Sequence, residues 1–131
     1  MLRAVVGAAA RPATKRATGV ALRALARHKV TVLTEEEQFA AATAGEPLAV
    51  VYFTAAWCGP CKMISPVFEA VAEEYPQATF LKVDVDDQPD VAAAARVAAM
   101  PTFQFFKKGE LLDTIVGADP QKLSDLTKAH A

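Results

Sequence analysis

The chain has 131 residues, 53% of them hydrophobic, and a formal net charge of −1. That length gives room for one domain with a real core. The near-neutral total hides an asymmetry: residues 1–33 hold seven basic and no acidic residues, whereas the remainder holds seven basic against fifteen acidic ones, a net of −8. An acidic body argues against a nucleic-acid binder, because phosphate binding draws on clustered Lys and Arg. No run of about 18 apolar residues exists to span a membrane.

The first 29 residues are rich in Ala and Arg and contain neither acid nor serine. Arg16, Arg23 and Arg27 fall on one helical face, with Leu22 and Leu25 roughly opposite. An Arg-rich, acid-free, amphipathic leader reads as an organelle transit peptide, and the lack of a long apolar stretch argues against a secretory signal. Absent serine favours the mitochondrial matrix over the chloroplast. The alternative is a basic tail retained in the working protein. The expected organisation is a transit peptide at 1–29 and a folded domain at 30–131.

Val30 to Leu33 is a β-branched run and a candidate edge strand. Thr34 with Glu37 fits a capping box for a helix that carries Phe39 and stops near Gly45. The glutamates there read as a capped, solvated helix start rather than a partner-binding patch. Leu48 to Thr54 is continuously apolar, as suits a central strand covered on both faces. A helix after Cys61 runs to about Tyr75, on the spacing of Met63, Ile64, Val67, Phe68 and Val71, with Pro66 expected to kink it.

Ala78 to Val85 is a second buried strand, with Lys82 its odd charge. Asp84, Asp86, Asp87 and Asp90 follow. A calcium loop would want a glycine turn and a terminal glutamate ligand, so these acids read as solvated loop and helix-start residues. Val91 to Val97 is a short helix. Met100-Pro101-Thr102 opens the apolar run Phe103 to Phe106, and X-Pro is where cis peptides occur. Lys107-Lys108-Gly109-Glu110 is a hairpin turn, with Gly109 free to take φ > 0, and Leu111 to Val116 returns antiparallel. Asp119 caps a last helix with Pro120 at its first position, and Leu123 and Leu126 face inward. The order β-α-β-α-β-α-β-β-α describes an α/β domain, a central mixed sheet with helices on both faces.

Trp57-Cys58-Gly59-Pro60-Cys61 holds the only two cysteines and the only tryptophan. It lies where a strand hands over to a helix N-terminus. Unpaired N–H groups and the helix dipole favour negative charge there, so a thiolate is stabilised and its reactivity rises. Two intervening residues let the sulfurs meet as a disulfide and part as a dithiol. Three other readings compete. Zinc needs about four ligands, and only His28 and His130 could join the cysteines. A static disulfide closing so short a loop gains little chain entropy. A degenerate fold could keep idle cysteines.

From Val30 onward the chain resembles the thioredoxins. The pentapeptide carries the resemblance, with Lys62, Pro66, Lys82 and Asp86, Met100-Pro101-Thr102, Phe106-Lys107 before Gly109, and Val116-Gly117-Ala118. The strings Tyr52-Phe53-Thr54-Ala55-Ala56, Glu74-Tyr75-Pro76 and Val116-Gly117-Ala118-Asp119 look most like the mitochondrial o-type of plants and algae.

The resemblance implies a thioredoxin fold and reduction of protein disulfides. Cys58 would attack and Cys61 resolve. Gly59, Pro60, Lys82 and a cis Pro101 would tune the pair. Trp57, Met100, Gly117 and Ala118 would meet the substrate chain. No G-x-G-x-x-G is present, so electrons are expected from an NADPH-dependent thioredoxin reductase rather than a bound nicotinamide. No cofactor or metal is expected, and the chain is expected to be a monomer. A disulfide oxidase or isomerase is the rival within the same chemistry; a binding or chaperone module without turnover is the rival outside it.

One departure stands out. Many thioredoxins carry a buried aspartate six residues before the first cysteine, where this chain has Tyr52. A neutral phenol is a poor base near pH 7. Water, with Lys82 as an electrostatic tuner, is therefore the expected proton acceptor for Cys61. From sequence alone, Tyr52→Asp is expected to cost on the order of 1–3 kcal/mol, as for burying a poorly paired polar group.

Overall fold

The computed structural model describes residues 30–131; the transit peptide read at 1–29 lies outside the described residues. The elements are β1 (Val30–Val32), α1 (Glu36–Ala44), β2 (Ala49–Thr54), α2 (Gly59–Glu74), β3 (Thr79–Asp84), α3 (Pro89–Ala94), β4 (Thr102–Lys107), β5 (Glu110–Val116) and α4 (Pro120–His130). This is the order expected from the sequence.

The sheet runs β1-β3-β2-β4-β5. β3 pairs parallel with β1 and β2, whereas β4 pairs antiparallel with β2 and β5. β2 lies in the middle, and all six of its residues are buried. Successive side chains of a strand point to opposite faces, which divides the core in two. Val50 and Tyr52 join Cys61, Ile64 and Phe68 of α2 and Leu123 of α4. Val51 and Phe53 join Leu81 and Val83 of β3 and Val91 of α3, with Phe39 of α1 packed alongside. Helices thus cover both faces, and the cysteine-bearing helix lies on the Tyr52 side.

Three local expectations are corrected. The residue before α1 is Glu35, not Thr34, and its capping partner is Gln38, not Glu37. The Gln38 Oε1 accepts from the backbone N–H of Thr34 at 2.7 Å and of Glu35 at 2.9 Å. Gln38 satisfies these donors as an uncharged amide, so the glutamates are left to face the helix dipole from the first turn.

The second correction concerns α2, which begins at Gly59, ahead of Cys61, and runs on through Pro66. The third concerns α3, which starts at Pro89 and ends at Ala94, short of Val97. Arg96 takes φ 60° just beyond it, a left-handed residue that turns the chain out of the helix. In the β4–β5 hairpin, Lys107 faces Glu110, leaving a two-residue turn. Such a turn needs positive φ at both central residues. Gly109 supplies 79° as expected, and Lys108 is drawn to 54° as well.

Candidate active site

The N-cap of α2 is Cys58 itself, in extended conformation at φ −87°, ψ 108°. Its sulfur accepts the backbone N–H of Cys61 at 3.2 Å. The helix begins here because the chain leaves β2 through a tight bend, with Cys58 N–H donating to Ala55 O at 3.1 Å. Pro60 then fits the first turn, where no intrahelical donor is missed.

Cys58 and Cys61 form a disulfide with their Cα atoms 5.3 Å apart. Only 4% of Cys58 and 2% of Cys61 is exposed. Exposure therefore does not separate the two cysteines; position does. Cys58 caps the helix, and Cys61 lies within its first turn. Among the described residues, no group of three or more His, Cys, Asp or Glu side chains is placed to hold a metal ion. No helix among them is long and apolar enough to cross a membrane.

Beside the pair in sequence, Trp57, Gly59 and Pro60 are exposed; of the other residues expected at the rim, Ala118 is exposed and Met100 and Gly117 are half-buried. Pro101 is buried, its bond to Met100 is cis, and its carbonyl accepts the Gly117 N–H at 2.9 Å. Gly117 takes φ 108°, which only glycine adopts without strain. These contacts join the loop before β4 to the one after β5. Trp57 is 67% exposed, yet its indole N–H donates to Asp86 Oδ2 at 3.0 Å. Asp86, read from sequence as a solvated loop acid, anchors the rim's largest side chain. Trp57 is the sole tryptophan, so tryptophan emission reports the surroundings of this one side chain. Asp86→Ala is expected to shift that emission and leave the melting temperature within a few degrees; an unchanged spectrum would count against the anchor.

Behind Cys61 the site is polar. The Tyr52 hydroxyl, fully buried, lies 2.9 Å from Cys61 O and 2.8 Å from Ser65 Oγ. Ser65 Oγ also lies 2.9 Å from Cys61 O. Two hydroxyl protons make two of these three contacts hydrogen bonds at any moment, and none of the three is to a sulfur. An open cleft of about 270 Å³ lies beside them, lined by Thr54, Ala55, Ala56, Cys61, Lys62, Ser65, Lys82 and Asp84. Lys82, expected as a tuner, therefore borders the same space as Cys61. Ser65 and Asp84 went unmarked as site residues in the sequence, since neither stands in a recognisable motif.

The thioredoxin family profile matches residues 29–129. Thioredoxin from Equus caballus is 56% identical over 86 residues, covering 66% of this chain and 82% of that one. Thioredoxin from Malassezia sympodialis is 46% identical over 104 residues, covering 78% of this chain and 99% of its own. Its crystal structure superposes with a TM-score of 0.74 at 47% identity, covering 77% of this chain and 90% of that one. The oxidised mitochondrial thioredoxin 3 of Saccharomyces cerevisiae superposes with a TM-score of 0.73 at 38% identity, covering 79% and 98% respectively.

Proposed function

The chain belongs to the thioredoxin family, an enzyme of thiol–disulfide exchange, and from that premise we propose that it reduces protein disulfides with Cys58 as attacker and Cys61 as resolver. The observation that carries the assignment of roles is the Cys58 sulfur at the α2 N-cap, accepting a backbone N–H. In the reduced protein that N–H and the helix dipole favour the thiolate.

The Cys58 thiolate attacks one sulfur of the substrate disulfide. A mixed disulfide forms, and the first substrate thiolate leaves. Cys61 then loses its proton and attacks Cys58, restoring the Cys58–Cys61 bond and releasing the second substrate thiolate. Two electrons pass from the dithiol to the substrate. Gly59 and Pro60 shape the turn between the cysteines. Trp57, Met100, Gly117 and Ala118 form the docking rim, supported by the apolar exposure of Trp57. In this reading Pro101, at its cis bond, tunes the pair.

The partners in this reading are protein disulfides and an NADPH-dependent thioredoxin reductase, with the chain acting as a monomer. The working place is the mitochondrial matrix, and the relationship is to the o-type of plants and algae. The Arg-rich, acid-free leader supports the location, and the strings around Tyr52 and Val116 support the type.

An insulin-reduction assay with reductase and NADPH tests this. NADPH consumption should depend on the chain, and a chain that binds insulin without consuming NADPH would overturn the reading in favour of a binding module. Removing residues 1–29 should leave both the turnover and the melting temperature nearly unchanged. A large loss of either would show that the leader packs on the domain, and would reopen its reading as a transit peptide.

A further inference from the structure

Strand parity sorts the residues of β3. Leu81 and Val83 belong to the cluster under α1 and α3, whereas Phe80 belongs to the cluster under α2. Lys82 and Asp84 therefore share the α2 face with Phe80. Directly across on β2 stand Tyr52, opposite Lys82, and Thr54, opposite Asp84. The cleft behind Cys61 is bounded by α2 on one side, through Cys61, Lys62 and Ser65, and by these strand ends on the other.

The middle strand supplies no proton acceptor here, because the Tyr52 hydroxyl is committed to Cys61 O and Ser65 Oγ. The neighbouring strand does supply a carboxylate. We propose that Asp84 is the base for the resolving step, receiving the Cys61 proton through solvent in the shared cleft. This rests on the exchange mechanism above. The polar groups of Thr54, Lys62, Ser65, Lys82 and Asp84 in its lining, with a volume of about 270 Å³, suit water that bridges them.

Asp84 is half-buried, and its Oδ1 accepts the N–H groups of Asp86 at 2.8 Å and Asp87 at 3.3 Å. Those bonds hold the carboxylate in place. Among the described residues its Oδ2 takes no hydrogen bond, which leaves that oxygen for solvent. The other charged groups are accounted for. The Asp86 side chain is held by Trp57. Lys62 and Lys82 line the cleft, and their ammonium groups favour the thiolate that results.

The step balances. The proton passes from Cys61 through water to Asp84. The Cys61 thiolate forms the bond to Cys58, the bond from Cys58 to the substrate breaks, and the departing thiolate carries the electron pair away. Asp84 returns its proton to solvent through the open cleft.

A small aromatic disulfide that releases one coloured thiolate in each step separates the two phases by stopped flow. With reduced wild type in excess reagent, the first release depends on reagent concentration and the second does not. Failure to see two releases would defeat the exchange mechanism itself. At pH 7, Asp84→Asn should slow the second release about tenfold or more, toward the low end of general-base effects. It should change the first less than twofold. The amide keeps an acceptor for Asp86 and Asp87, so the loop is retained.

The deficit should narrow as pH rises, because hydroxide then competes with the carboxylate as the proton acceptor. Added formate should rescue the variant, and Asp84→Glu should keep the wild-type profile. A second measurement needs no substitution: added imidazole should leave the wild-type second phase unchanged, because the base is built in. An unaltered second phase in Asp84→Asn, an equal slowing at every pH without formate rescue, or acceleration of wild type by imidazole would each overturn the role of Asp84.

Discussion

Cys58→Ser is expected to abolish disulfide reduction, and Cys61→Ser to yield a protein that captures its substrates without releasing them. Serine at position 58 keeps a side chain able to cap α2, since serine is among the favoured N-cap residues. The fold should therefore survive while the nucleophile is lost. A hydroxyl near neutral pH does not open a disulfide, so turnover should fall to background. At position 61 the effect differs in kind. The first bond still forms, but nothing displaces the substrate from Cys58. Extract passed over immobilised Cys61→Ser should yield partners that a thiol reagent releases. The same experiment with Cys58→Ser should yield none. Turnover by Cys58→Ser, or thiol-releasable partners on it alone, would reverse the assigned roles.

The core of this site was legible because its chemistry is local. Five adjacent residues contain both sulfurs, and the alternation of strand and helix around them follows from apolar spacing alone. What the linear pattern concealed was set by the backbone or by strand pairing. Apolar periodicity in α2 begins at Met63, so spacing alone puts the helix start after Cys61. Its true start is fixed by the Cys58 cap, which periodicity does not register. Lys108 offers no sign of left-handed backbone in its side chain; the two-residue register between Lys107 and Glu110 imposes it.

The acids after Lys82 show the same limit. Read along the chain they form one solvated run. In the sheet Asp84 ends β3 on the face of the cysteine helix, and Asp86 reaches Trp57 across the surface. Their difference comes from parity and from a partner 29 residues away. The bond from Gly117 N–H to Pro101 O likewise joins residues distant in sequence.

Tyr52 shows how far packing alters an expectation formed on charge alone. Its ring stacks on Phe103 with centroids 4.8 Å apart and tilts against Phe68 at 5.0 Å. The residue is fully buried. Tyr52→Asp therefore removes an aromatic ring from a packed core as well as burying a carboxylate. Loss of a large aromatic side chain from a core costs about 3–5 kcal/mol, before any charge penalty is counted. That exceeds the on-the-order-of 1–3 kcal/mol expected from polar burial alone. Against a typical domain stability of about 5–15 kcal/mol, this variant should melt far below wild type. Tyr52→Phe separates packing from chemistry. It keeps the ring and loses only the hydroxyl, while Ser65 still reaches Cys61 O. The cost should be about 1 kcal/mol, the usual net value of one hydrogen bond. Resolution should stay within about twofold, because the hydroxyl faces a carbonyl and not a sulfur. Chemical denaturation gives the stabilities, and stopped-flow decay of the mixed disulfide gives the rates. A loss of about a hundredfold in the Phe variant with its fold intact, the size expected on removing a general base, would place the base at Tyr52 after all.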